Sequence, residues 1–258
     1  MFAKQLVTAV GTVAGFAGLI LAGPLLTSAR VHADDKHSSS PRFDADDEHS
    51  SGDESQIELG LQIAPVHLTY QKHNRKLVGL GSYFVNAVSG CNGCHSAGPM
   101  TEYVGGHNPY QRLGPFTPPK ILNTATYLGG GRDFLQIGPI TSNNVPPHIV
   151  SRNLTPDRTG LPEGGAEFGE FFDSIRKGID HDHLHPNCGE IINGKVITTN
   201  CFNPPFNGDL LQVMPWPEYQ DWTDHDLVAI YEYLKAIPCI AGTPRPDGTR
   251  DLTSHLCF

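Results

Sequence analysis

Apolar residues recur at helical spacing in three stretches of this chain. From Asn74, the residues Leu77, Leu80, Phe84, Ala87 and Val88 fall at steps of three and four, which predicts a helix over 74–88 running into Gly90. A shorter helix is predicted over 166–177, with Phe168, Phe172 and Ile175 inward and Gly178 as its C-cap. The third is the best marked. Thr223 caps it, Asp226 stands three residues on, Leu227, Ile230, Tyr231 and Leu234 form its apolar stripe, and Pro238 ends it. This last helix is expected to cross the 74–88 helix.

Between these helices the period changes. Residues 96–165 are punctuated by Gly98-Pro99, Gly105-Gly106, Gly114-Pro115, Pro118-Pro119, Gly129-Gly130-Gly131 and Pro146-Pro147, so irregular backbone is expected there. Ile191-Ile192 and Val196-Ile197 flank Asn193-Gly194, the two-residue turn of a β-hairpin. In that register Cys188 faces Thr199 rather than Cys201, so a bulge or splayed end is needed if the two cysteines pair. The expected fold class is mainly α, with long loops and an inserted β-hairpin.

The two ends differ in character. Residues 1–33 read as an export signal, with Lys4 in the leading region, an apolar run from Leu6 to Leu26, and Val31-His32-Ala33 as the cleavage site. The same run, residues 6–26, is long enough to serve as an uncleaved membrane anchor. Residues 34–55 are Asp, Glu, Ser and His with almost no apolar residue, which predicts a disordered acidic linker. The folded domain is expected over 56–258. The 28 glycines and 21 prolines imply much loop. The net charge is −9, and residues 1–33 hold only Lys4 and Arg30 as charges, so the chain beyond them is more acidic still. Such a balance excludes nucleic acid as the main partner, and anionic membranes too unless residues 6–26 stay attached. It suits a soluble exported protein, or one that meets basic patches on redox partners.

Cys91-Asn92-Gly93-Cys94-His95 carries the chemistry. Cys-x-x-Cys-His is the covalent attachment site of a c-type haem, in which two thiols add to the haem vinyl groups and the following histidine becomes an iron ligand. A redox dithiol has no need of that histidine. A zinc site needs a second ligand pair, and no second Cys-x-x-Cys exists in the sequence. The other ring nitrogen of His95 is expected to donate to a backbone carbonyl, near Pro99 or Pro115. Three methionines are present and Met1 is the first residue. Met100 follows His95 too closely to pass round a haem, so Met214 is the candidate sixth ligand, its rival role being that of a core gap-filler. The cofactor-binding and metal-binding residues are then Cys91, Cys94, His95 and Met214, with one covalent haem c. His181, His183 and His185 alternate in a polar loop, where a metal site or a second haem ligand competes with plain solvation. Asn153-Leu154-Thr155 matches a glycosylation sequon, which Pro156 disfavours. Of the six cysteines four remain, and pairing Cys188 with Cys201 and Cys239 with Cys257 closes the shortest loops. Haem attachment and paired cysteines both point to an oxidising compartment, bacterial and periplasmic or otherwise exported.

Taken together these motifs resemble class I c-type cytochromes, in detail the haem domains of cytochrome c subunits of bacterial dehydrogenases. The resemblance covers roughly residues 78–240. It rests on Gly81-x-Tyr83, Gly90 through His95, Gly105-Gly106, Asn153-Leu154-Thr155-Pro156-Asp157 with Gly160, Phe172 to Gly178, Met214-Pro215-Trp216-Pro217, and Asp224-x-Asp226-Leu227 to Leu234. It implies a cytochrome c-like fold wrapped round the haem, His95 and Met214 as axial ligands, and electron transfer rather than catalysis. Redox partners on the dehydrogenase or terminal-oxidase side follow from it. Two departures stand out. Those subunits commonly carry three haem domains, and this chain has one motif. Residues 187–212 interrupt the passage from the Gly178-ended helix to Met214, and this insertion is expected to border the haem edge or dock a partner through Ile191, Val196, Phe202 and Phe206. The alternatives are a non-catalytic subunit of a periplasmic dehydrogenase, and a haem peroxidase or sensor with an open distal site using His148 or His183.

Overall fold

The computed structural model describes residues 51–258 apart from Gln71, Pro99, Arg112, Leu113 and Phe116. The expected signal or anchor and the linker up to residue 50 lie outside the described residues. Among the described residues, no helix is long and apolar enough to cross a membrane.

The chain is modestly helical with small sheets. Its helices are α1 (Ser51–Ile63), α2 (Arg75–Tyr83), the single turn α3 (Asn92–His95), α4 (Phe168–Lys177), α5 (Trp216–Tyr219) and α6 (Asp224–Ala236). Among the described residues three two-stranded antiparallel sheets accompany them: β1 (Asp133–Gln136) with β2 (His148–Val150), β3 (Ile191–Ile192) with β4 (Lys195–Val196), and β5 (Thr243–Pro244) with β6 (Arg250–Asp251). Helix α1 takes in residues 51–55 of the expected linker.

Helix α2 starts where the periodicity places it. The Asn74 side chain caps it, accepting from Lys76 N at 3.0 Å. It crosses α6 as expected, and the crossing is close because Gly81 has no side chain. A Cβ there would lie 2.7 Å from Tyr233 Cβ. Helix α6 carries the expected reciprocal cap between Thr223 and Asp226, at 3.1 and 3.2 Å, and all four residues of its stripe are buried. A buried polar knot ties the crossing together: Tyr127 Oη donates to Asn86 Oδ1 at 2.6 Å and lies 2.8 Å from Tyr233 Oη.

The end of the 74–88 helix differs from expectation. Phe84–Val88 form a π-turn, with Ser89 N bonded to Phe84 O five residues back. The extra residue rotates the face. Val85 becomes buried, while Ala87 and Val88 turn to solvent, Val88 at 53% exposure. The turn then delivers the chain to Cys91 through Cys91 N to Val85 O. In α4 the deepest ring is Phe171, with Phe168 and Phe172 half-buried beside it.

Both expected disulfides are present, Cys188–Cys201 and Cys239–Cys257. The hairpin has the expected turn, with φ of 52° at Asn193 and 76° at Gly194. The offset of its open end is absorbed by Gly189 and Asn200, both at positive φ.

Candidate cofactor site

One turn of helix explains the first three candidate residues. Cys94 N and His95 N both donate to Cys91 O, at 3.2 and 2.9 Å, so residues i, i+3 and i+4 share one face. The loop 128–132 holds that turn from outside. Leu128 N donates to Asn92 Oδ1 at 2.9 Å, Gly130 N to His95 O at 2.7 Å, and Arg132 Nη1 to Gly93 O at 2.6 Å.

His95 is fixed in tautomer. Its Nδ1–H donates to the carbonyl of Arg152 at 2.9 Å, rather than to one near Pro99 or Pro115. The carbonyl comes from a segment 57 residues on, because β2 returns the chain behind α3. Burial holds the imidazole below its ordinary pKa range. In the neutral ring this tautomer leaves the lone pair of Nε2 for a metal.

Met214 is positioned by the end of α4. Gly178 closes that helix in the left-handed conformation, φ 70°, and lies directly under the indole of Trp216. Leu211 N donates to Gly178 O at 2.7 Å, Trp216 Nε1 to Leu211 O at 3.2 Å, and Trp216 N to Met214 O at 2.8 Å. These bonds clamp the segment 211–216 on the helix end.

Cys91, Cys94, His95 and Met214 all line one cavity of about 300 Å³. Its wall is otherwise largely apolar, with Phe134, Ile149, Val150, Leu211 and Tyr219 among its residues. Met100 is 81% exposed and stands outside it. Cys91 and Cys94 are unpaired in a chain whose other four cysteines are bonded. Burial pushes the Cys91 thiol up to about 11, whereas a redox dithiol needs a depressed thiol pKa.

The cavity also has a polar corner centred on Arg152, a residue that sequence reasoning did not single out. Arg152 Nη1 donates to Glu163 Oε1 at 2.9 Å and lies 3.3 Å from Asp182 Oδ2, while Nη2 pairs with Asp180. His183 and His185 stack beside it, ring centroids 5.9 Å apart. Among the described residues, no three His, Cys, Asp or Glu side chains are grouped to hold a metal, so the 181–185 histidines form no such site by themselves. On another wall His148 Nδ1 lies 2.8 Å from Asp133 Oδ2 across the β1–β2 pair.

Two further expectations are revised. The insertion contributes Leu210, Leu211 and Gln212 to the cavity wall, but its hairpin, 191–196, does not line it. Ile191 and Val196 are exposed, whereas Phe202 is fully buried and unavailable to a partner. Asn153 is no glycan acceptor. It is buried, and its Nδ2 donates to the carbonyls of Ile240 and Gly242 at 2.7 and 3.1 Å, which ties the Asn-Leu-Thr-Pro-Asp turn to the C-terminal disulfide loop.

No protein-family model and no curated protein matches the chain.

Proposed function

We propose that the chain is an exported, single-haem c-type cytochrome of the class I kind, working as an electron carrier rather than an enzyme. The observation that carries the reading is the convergence of Cys91, Cys94, His95 and Met214 on the walls of one apolar cavity. The donor set fits a covalent haem. Two unpaired thiols sit three residues apart, an imidazole is fixed through Nδ1, and a thioether stands on the same cavity.

Cys91 and Cys94 would hold the group by thioether bonds, and His95 and Met214 would be the side chains that ligate its iron. Bound there, the group supplies a one-electron Fe(III)/Fe(II) couple. The protein's residues set its conditions. The Arg152 carbonyl orients His95 and raises its basicity as a ligand. The clamp of Gly178 and Trp216 on residues 211–216 keeps Met214 in place. The apolar walls exclude water and favour the less charged reduced state. With His95 and Met214 both serving as ligands, no place would be left for a substrate at the iron.

The acidic, disulfide-bonded domain fits the periplasm, and its partners would be other redox proteins. A subunit role in a periplasmic dehydrogenase uses the same site. An open-site haem enzyme is favoured by one feature, the His148–Asp133 pair on the cavity wall; Met214 on the same cavity stands against it. The absorption spectrum of the oxidised protein tests the choice. A low-spin, sulfur-ligated spectrum that is lost in Met214→Ala and kept in Met100→Ala is expected. A high-spin, water-ligated spectrum in the unaltered protein overturns the carrier reading.

A further inference from the structure

The polar corner of the cavity has an unusual charge balance. A tetrapyrrole of the haem type bears two carboxylate side groups, and in a mostly apolar cavity these groups seek the polar corner. Arg152 is the obvious receiver, but it is already engaged by Glu163, Asp180 and Asp182. With all four ionised, that cluster carries two net negative charges and repels a further carboxylate. His148 is likewise engaged, by Asp133. The remaining basic groups on the wall are His183 and His185. Their ring planes are 11° apart. The Nδ1 of His183 lies 3.4 Å from Arg152 Nη2 and 4.0 Å from Asp180 Oδ1. The ring of His185 meets Phe202 edge-on, and its backbone N–H donates to Gly208 O.

We propose that His183 and His185 form a proton-binding subsite that receives the acidic side groups of the cofactor and couples one proton to its one-electron reduction. This rests on the haem reading above. The step balances: iron gains one electron from a redox donor, and one imidazole nitrogen gains one proton from water. Reoxidation returns both. The reason is Coulombic. Reduction makes the cavity more negative by one charge, next to a corner that is already negative, and a proton on the imidazole pair offsets it. Two stacked imidazolium rings repel each other, so the pair binds one proton rather than two. Burial, with His183 and Arg152 alongside, holds His185 below its usual range against the opposite pull of Asp180.

Equilibrium redox titration of the haem-loaded full chain, from about pH 5 to about pH 8, tests this in the window where imidazoles titrate. The midpoint potential is expected to fall as pH rises, by up to about 59 mV per unit, the one-electron equivalent of a tenfold change in equilibrium constant. The double variant H183Q/H185Q is expected to be flat. A flat profile in the unaltered protein overturns the proposal. So does an undiminished slope in the double variant, which would place the proton on Glu163 or on the cofactor's own carboxylates. Should the double variant not fold, H183Q alone serves, since that side chain is 54% exposed. It should shift or flatten the profile, and an unchanged profile overturns the proposal. A protein that carries no covalent haem defeats the preceding section's reading, whereas a haem-loaded protein with a pH-independent potential defeats only this one.

Discussion

Replacing Gly178 with alanine probes how the helix end positions Met214. Two costs are readable from the structure. Gly178 has φ 70°, so alanine takes on the left-handed penalty of about 1–2 kcal/mol. Its new Cβ would also stand 2.5 Å from Trp216 Cδ2, and the indole is tied by Nε1 to Leu211 O. Overpacking of that kind costs about 1–3 kcal/mol. The sum, about 2–5 kcal/mol, corresponds to a fall in melting temperature of roughly 5–20 °C for a domain of this size. Gly194 supplies the control. Its φ is 76°, but a Cβ there meets nothing within 4 Å, so Gly194→Ala carries only the backbone penalty. Thermal melts of the two variants separate the terms. Because Trp216 lies two residues after Met214, Gly178→Ala should also perturb the sulfur-ligand band and the midpoint potential, and Gly194→Ala should leave both alone. Adding Trp216→Ala to Gly178→Ala should recover part of the loss, the sign of a coupling between the two sites. Equal destabilisation by the two glycine variants, with an unperturbed potential in Gly178→Ala, would refute the reasoning.

Three other outcomes follow from the same contacts. Asn144 bonds both backbone groups of buried Cys201, donating to its carbonyl at 2.7 Å and accepting from its N–H at 3.2 Å. Asn144→Ala should cost about 1–3 kcal/mol for each group left unpaired, read as a lower urea midpoint, and a loss below about 1 kcal/mol in total contradicts the assignment. His255 is buried, with Nε2 3.2 Å from Thr155 Oγ1, and burial depresses its pKa. The unfolded chain therefore binds the proton more readily, so stability is full above about pH 6.5 and falls as pH drops through that value. Denaturation midpoints measured across this range should show the fall, and His255→Gln should lessen it; a profile that His255→Gln leaves unchanged contradicts the assignment. Replacing residues 191–196 by a short glycine linker should leave the midpoint potential unchanged, since the hairpin is off the cavity wall. A shifted potential would mean that the hairpin shields the cofactor after all.

What the sequence revealed follows from the range of the interactions concerned. The helix start at Asn74, the cap at Thr223, the C-cap Gly178 and the Asn193-Gly194 turn are set by neighbours in the chain, and local pattern found them. The α6 stripe was legible because one face is buried along its whole length. The end of the 74–88 helix was misjudged at Ala87 and Val88, because a π-turn breaks the period without any proline or glycine to mark it. Helix α1 was hidden by its composition. It buries little beyond Ile57 and Gly60, and the latter touches Gly79 of α2 rather than filling a core. The four candidate residues that share the cavity were singled out by the attachment motif and the scarcity of methionine. Their supports were not. The Arg152 carbonyl, the 128–132 loop and the Tyr127–Tyr233 contact are long-range pairings from irregular backbone, and no local spacing announces them.

The central claim is that Cys91 and Cys94 anchor a single haem covalently. Its most direct test is the intact mass of the chain, produced by export in a bacterium that attaches haem to c-type cytochromes and then denatured. The account predicts the polypeptide plus one haem, with the addition lost when Cys91 and Cys94 are both changed to alanine. A polypeptide without the added group, its Cys91 and Cys94 free or joined to each other, would contradict it.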